Sequence, residues 1–192
     1  GSTVDPNNAQ AVIDDDLATS YTLNAGSAMT ITLPQSADLS MLAVYSEMAA
    51  ANYLVEVFNL DTNKWESVYD GKGQTKLQSE KIITLGESIF ANKVRITATD
   101  SLEIKEFKLF KTDKRGDLLD KITELEDILA SKQYNDMNGS YTKEAKAKID
   151  AKLQEAKDAV KDALSSKDVA AWIVQLNNAL KIQWIHQVQS HF

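Results

Sequence analysis

The sequence predicts an antiparallel β-sandwich or jelly roll followed by a three-helix bundle, and three observations predict it. Short apolar segments separated by turn residues recur across residues 3–112. The pattern then changes to a helical period after Lys111-Thr112-Asp113-Lys114-Arg115-Gly116. The helical part carries three separate apolar stripes. The implied domains are residues 3–112 and residues 113–192.

Taken in order, residues 29–33 (MTITL) alternate apolar and polar, and residues 41–45 (MLAVY) form a short apolar run. Residues 53–58 (YLVEVF) are β-branched and aromatic, and 65–69, 81–85, 93–97 and 104–110 follow at similar spacing. Turn chemistry separates them at Leu33-Pro34, Asp61-Thr62-Asn63-Lys64, Asp70-Gly71-Lys72-Gly73 and Gly86-Glu87. About seven or eight short strands with such breaks make an antiparallel sandwich or jelly roll.

From Asp117 onward Leu118, Leu119, Ile122, Leu125, Ile128 and Leu129 fall three or four apart. Ala145, Ile149, Leu153, Ala156, Val160 and Leu164 do the same, and so do Val169, Trp172, Ile173, Leu176 and Leu180, continued by Trp184 and Val188. Residues 135–140, with Gly139, break the first helix from the second, and Ser165-Ser166-Lys167-Asp168 breaks the second from the third. Thr142 is placed to cap the second helix through its hydroxyl. Trp172, Trp184 and the apolar tail, residues 185–192, either pack on the sandwich or on a missing neighbour, or form an exposed partner-binding face.

A length of 192 residues allows one large domain or two small ones, and 43% hydrophobic with 26% charged residues reads as a folded chain. The formal charge of −7 is uneven: residues 1–113 hold 9 Lys and Arg against 16 Asp and Glu, whereas residues 114–192 hold 12 of each. An acidic first part argues against nucleic acid and anionic membranes as partners, and suits cations or neutral ligands. With no cysteine there are no disulfides and no thiolate chemistry. No apolar run approaches the roughly 20 residues that span a bilayer. Gly1-Ser2 reads as a cloning remnant, so that a signal peptide would already have been removed.

One run stands out: Ala11-Val12-Ile13-Asp14-Asp15-Asp16-Leu17-Ala18-Thr19-Ser20-Tyr21. Ca²⁺ takes roughly six to eight oxygens, and a tight loop supplies several of them at once. Asp14 is the best carboxylate ligand, with Asp16 and Thr19 following within one loop.

The same run resembles the "A-x-D-G-x-x-x-T-x-W" motif that opens discoidin-type domains, also called coagulation factor type C domains. Family 32 carbohydrate-binding modules, with their galactose-binding-domain-like jelly roll, belong to that group. Asp14 matches the Asp and Thr19 the Thr; Asp15 replaces the Gly and Tyr21 the Trp. Lys93-Val94-Arg95-Ile96 is similar to the family's "Y-V-R-I" strand, and Glu106-Phe107-Lys108-Leu109-Phe110 to its closing "E-I-x-V-Y". The resemblance runs from residue 9 to residue 110. It implies a structural Ca²⁺ held by the carbonyl of Ala11, the side chain of Asp14, the carbonyl of Asp16, Thr19, and Glu106. Such a site would tie the first loop to the last strand.

Carbohydrate-binding relatives use an aromatic platform with a few polar groups on the loops at one end. Here both histidines, His186 and His191, lie in the last helix, and the one Arg before residue 115, Arg95, falls in a strand. Residues 99–103 (TDSLE) hold no aromatic side chain, and residues 46–52 (SEMAAAN) hold few binding groups. Trp65 and Tyr69 read as core or sheet surface. Met48 is the one evident apolar spike for an adhesive role of the protein-binding kind.

The helical part resembles the FIVAR module through Tyr141-Thr142-Lys143-Glu144-Ala145, then Ile149, Leu153, Ala156, Val169, Leu176, Ala179 and Leu180, over residues 117–183. Ala145 stands where that family has Ser. FIVAR modules are three-helix bundles of large bacterial surface and secreted proteins, often beside carbohydrate-active modules.

No nucleophile–base pair is legible. The acidic groups Glu124, Glu126, Asp127, Asp158 and Asp162 fall on charged helix faces, and Gly71-Lys72-Gly73 sits in a turn and not after a phosphate-binding strand. The expected function is therefore a non-catalytic accessory region of a larger secreted or cell-surface bacterial protein, such as a glycoside hydrolase. The sandwich would bind glycan, and the bundle would space it or dock it on the parent's catalytic domain. The alternative is a purely structural unit supporting that domain, with no ligand of its own.

Overall fold

The structure, a computed structural model, describes residues 1–134 and 141–184, with side chains through residue 181. The break at 135–140, the tail at 185–192 with His186, Val188 and His191, and the Trp184 side chain lie outside the described residues. The chain divides into two compact units, Gly1–Thr112 and Asp113–Phe192.

The first unit is all β apart from one 3-10 segment, Asn7–Ile13. Its strands are β1 (Thr3–Asp5), β2 (Tyr21–Leu23), β3 (Ala28–Ala50), β4 (Tyr53–Asn59), β5 (Lys64–Asp70), β6 (Leu77–Ala98) and β7 (Leu102–Thr112). They pair antiparallel in the order β2-β7-β3-β6-β4-β5, with β1 added on β3. The expected segments at 29–33 and 41–45 are the two halves of β3, and those at 81–85 and 93–97 are the two halves of β6. Leu33-Pro34 and Gly86-Glu87 do not end strands, as expected of turns; they mark corners where the pairing of β3 with β6 loses register, between Thr32 and Ala37 and between Leu39 and Met41. At such corners the ladder is interrupted, and Pro34 is tolerated there because its missing N–H costs little.

The corners let each long strand serve both layers. Residues 28–32 of β3 pair with β1 and with residues 93–97 of β6, which also carries β4 and then β5. Residues 41–50 of β3 pair with the first half of β6 and with β7, which carries β2. Met29, Ile31, Val55, Val57, Val94 and Ile96 from one layer meet Leu42, Val44, Ile83, Leu102, Ile104 and Phe107 from the other in a single core. At the β5–β6 connection Gly71 is required: a Cβ there would stand 1.9 Å from the Ala51 carbonyl oxygen.

The second unit comprises α1 (Arg115–Ala130), α2 (Lys143–Ala159) and α3 (Ser166–Trp184). Each helix packs on the other two. Leu118, Ile122, Leu125 and Leu129 of α1, Ile149, Leu153 and Ala156 of α2, and Val169 and Leu176 of α3 form its core, joined by Val160, Leu164, Trp172, Ile173 and Leu180. Leu119 departs from the expected stripe and is 50% exposed, because it is one residue round the helix from Leu118. Thr142 caps α2 as its position suggests: its hydroxyl accepts the Ala145 N–H at 3.0 Å. Ser165 does the same for the Asp168 N–H at the start of α3, also at 3.0 Å. Arg115 closes the far end of α2, its Nη1 donating to the Val160 and Asp162 carbonyls.

Candidate metal centre

The loop between the 3-10 segment and β2 curls because its side chains satisfy its own backbone. Asp14 Oδ1 accepts the Asp16 N–H at 3.0 Å, and Asp16 Oδ1 accepts the Ala18 N–H at 2.9 Å. Short acidic side chains make such local turns readily. Asp15, between them, has φ of 57°, the left-handed region in which a Gly carries no penalty.

That turn points the Asp15 N–H at β7, where it donates to Glu106 Oε1 at 2.8 Å across 91 residues of sequence. A second strap runs from the Ser20 hydroxyl to Glu103 Oε1 at 2.8 Å. The pairing of β2 with β7, Tyr21 opposite Ile104, continues the attachment. The first loop is thus fastened to the last strand by side chains before the ladder begins.

Inside this clasp oxygens converge. The Thr19 hydroxyl donates to Asp14 Oδ2. Its oxygen also lies 3.0 Å from the Asp16 carbonyl oxygen, which accepts the Thr19 N–H at 3.3 Å. The Asp14 and Glu106 carboxyls are within hydrogen-bonding reach of each other. Glu106 is only 3% exposed. Burial pushes its carboxyl up to about 7, the Asp14 carboxyl adds to the rise, and the Asp15 N–H opposes it. Asp14 moves the other way, held below the usual carboxylate range chiefly by the Thr19 hydroxyl.

Of the five residues that the sequence points to, four gather here: Asp14, Asp16 through its carbonyl, Thr19 and Glu106. Ala11 lies three residues ahead of Asp14, within the 3-10 segment. Two of the donors are side-chain carboxylates; among the described residues no group of three or more His, Asp or Glu side chains gathers for a metal ion. The Asp16 side chain is turned into its own loop, and the Asp15 carboxylate is turned to the Lys108 ammonium at 3.1 Å. Carboxylate, hydroxyl and carbonyl oxygens are donors that suit a hard cation such as Ca²⁺. Lys108 was not singled out in the sequence, although it follows Glu106 by two and shares its face of β7.

The Trp65 and Tyr69 side chains are engaged in the sheet. Trp65 packs edge-on against Phe58, ring centroids 5.4 Å apart, and the Arg95 guanidinium covers it at 4.1 Å. Arg95 is itself fixed by Glu56 Oε1, directly opposite it on β4, at 2.9 Å. Tyr69 packs on the core, and its hydroxyl donates to the Ala51 carbonyl at 2.7 Å. So Trp65 is sheet surface and Tyr69 is core margin. Met48 is exposed, as is Leu77.

No protein-family model matches the chain, and no curated protein does. Solved structures do resemble it. CpGH89CBM32-6 produced by Clostridium perfringens superposes with a TM-score of 0.50 at 19% identity, covering 58% of this chain and 93% of that one. Chitosan-binding module 1 of a chitosanase/glucanase from Paenibacillus sp. IK-5 gives 0.45 at 20% identity, covering 57% and 93%. The family 32 carbohydrate-binding module of C. perfringens NanJ, solved with galactose, gives 0.45 at 17% identity, covering 53% and 82%. At such identities the first likeness shows the fold: a discoidin-like β-sandwich of the kind found in family 32 carbohydrate-binding modules, followed here by helices.

Proposed function

We propose that this chain is a non-catalytic accessory region of a larger secreted bacterial protein that acts on carbohydrate. Its sandwich binds glycan and carries a structural Ca²⁺ in the clasp; its helical unit, FIVAR-like, spaces the sandwich or docks it on a catalytic domain. The observation that carries this reading is the clasp itself. The residues that the discoidin resemblance assigns to the ion, Asp14, Thr19 and Glu106, come together from opposite ends of the sequence of a sandwich with the fold of family 32 modules. Asp14, Thr19, Glu106 and the Asp16 carbonyl would hold the ion, with the Ala11 carbonyl as the remaining protein donor. Its charge would compensate the two adjacent carboxylates and brace the first loop against β7.

The acidic pair does not read as a glycosidase dyad. Glycoside hydrolysis needs the two carboxyls roughly 5 Å or more apart to admit the scissile bond, and these two lie within hydrogen-bonding reach of each other. The acidic character of the sandwich keeps nucleic acid out of consideration, and among the described residues no helix is long and apolar enough to cross a membrane.

The test is calorimetric titration of the full chain, with and without Ca²⁺, against galactose- and N-acetylhexosamine-terminated glycans and chitosan oligosaccharides. Saturable binding to at least one class is expected. Absence of binding to all of them removes the glycan-binding role.

One observation favours a second reading, a purely architectural unit. The Trp65 and Tyr69 rings are spent on Arg95 and on the core, which leaves no free aromatic platform from these two residues. On that reading the chain binds no sugar, yet deleting it lowers the stability or activity of its parent.

A further inference from the structure

In the clasp two carboxyls, Asp14 and Glu106, come together, and a third, Asp15, is turned outward to an ammonium. Asp14 and Glu106 face each other, Asp15 leans outward from the turn, and Lys108 is held at 3.1 Å by Asp15. The Lys108 ammonium also lies 5.6 Å from the centre of the Tyr45 ring, and Tyr45 is the residue paired with Glu106 across β3 and β7. A cavity of about 290 Å³ is lined by Asp15, Glu106 and Lys108 together, with Ile31, Leu33 and Phe110 among its apolar walls. Lys108 therefore flanks Glu106 at the edge of the clasp, close enough for its charge to act on that carboxyl, and it is held by Asp15, the residue that replaces the Gly of the discoidin motif.

We propose that Lys108, steered by Asp15, is a tethered counter-cation that sets how tightly the clasp holds a divalent cation. This rests on the reading of the clasp as a Ca²⁺ site. With no ion bound, the ammonium offsets the repulsion between the Asp14 and Glu106 carboxyls. With an ion bound, it repels that ion and lowers its affinity. Asp15 has two effects: its N–H fixes Glu106, and its carboxylate draws Lys108 outward, partly restoring the attraction for the ion.

Titration of the full chain with CaCl₂ at fixed ionic strength reads this directly. K108Q removes the charge from a side chain that is 38% exposed, so the fold is retained. Its Ca²⁺ dissociation constant is expected to fall roughly three- to tenfold, the size of effect that one unit charge exerts a few ångströms away in a water-like dielectric, as suits a partly exposed ammonium. K108R should stay near wild type. D15N keeps a side chain that tolerates positive φ but releases Lys108 towards Glu106, and should weaken binding. K105Q, which breaks the separate Lys105–Glu47 pair, should change nothing. A merely structural Lys108 would lower stability without tightening Ca²⁺. If wild type binds Ca²⁺ and K108Q binds it no more tightly, the role of Lys108 is overturned and the metal site stands. If neither takes up Ca²⁺, both fall.

Discussion

Glu106 holds its proton unusually well because its carboxyl is buried and faces Asp14. In the unfolded chain it titrates near 4.5, and in the folded chain at about 7. Between those values the folded state binds the extra proton, so stability is greatest at the acid end of that window and falls as pH rises through it. The loss is on the order of 2–3 kcal/mol, at about 1.4 kcal/mol per pH unit. Urea melts of the metal-free protein should accordingly give a lower midpoint at pH 7.5 than at pH 5, with the difference removed in E106Q. Millimolar Ca²⁺ should restore the midpoint at pH 7.5. An equal midpoint at both pH values in wild type would show that the two carboxyls do not share a confined site. Asp14, with its depressed pKa, acts in the opposite sense: it favours the fold above the unfolded value and withdraws that support only as pH falls through its own lower one. At this scale the sequence was legible only through resemblance. Nothing in the composition of residues 14–19 says that Glu106 lies opposite, since 91 residues separate it from the Asp15 N–H it accepts. The partnership of Lys108 with Asp15 has the same origin.

The secondary-structure elements were far more readable, because their causes are local. Alternation in 53–58 and 93–97 and helical spacing from Leu118 onward each reflect one buried face. Corners were misread as ends because a corner and a turn use the same residues: Pro34 and Gly86 interrupt a ladder equally well in either setting. β1 and β2, of three residues each, are too short to show a period and exist because a neighbouring strand offers an edge. The caps lie between these cases. Thr142 stands out beside a helical run, whereas Ser165 was hidden in a stretch that also reads as a plain break. Both hydroxyls satisfy an otherwise open amide at a helix start. T142A and S165A should each cost about 1 kcal/mol in denaturant melts of the full chain, and T142S should recover most of the loss at its site. S165A should cost at least as much as T142A, because Ser165 is buried and its loss strands the Asp168 N–H away from water.

At the scale of the whole chain, charge and core divide at the same place. The excess of acidic over basic residues lies entirely within 1–113, the sandwich core draws only on residues up to Phe107 and its close neighbours, and every candidate cation ligand lies within Gly1–Thr112. A unit of 112 residues is large enough to bury a core of its own. The fragment 1–112 should therefore melt cooperatively and bind Ca²⁺ within about twofold of the full chain, the limit set by additivity for sites without shared partners. Its affinity should weaken as salt is raised, because part of the attraction comes from the surrounding acidic surface and is screened. The fragment 113–192, with 12 charges of each sign over residues 114–192, should show neither effect. If 1–112 folds but loses Ca²⁺ binding, the helical unit supplies something to the clasp that its own residues do not, and the assignment of the site to the sandwich alone has to be given up.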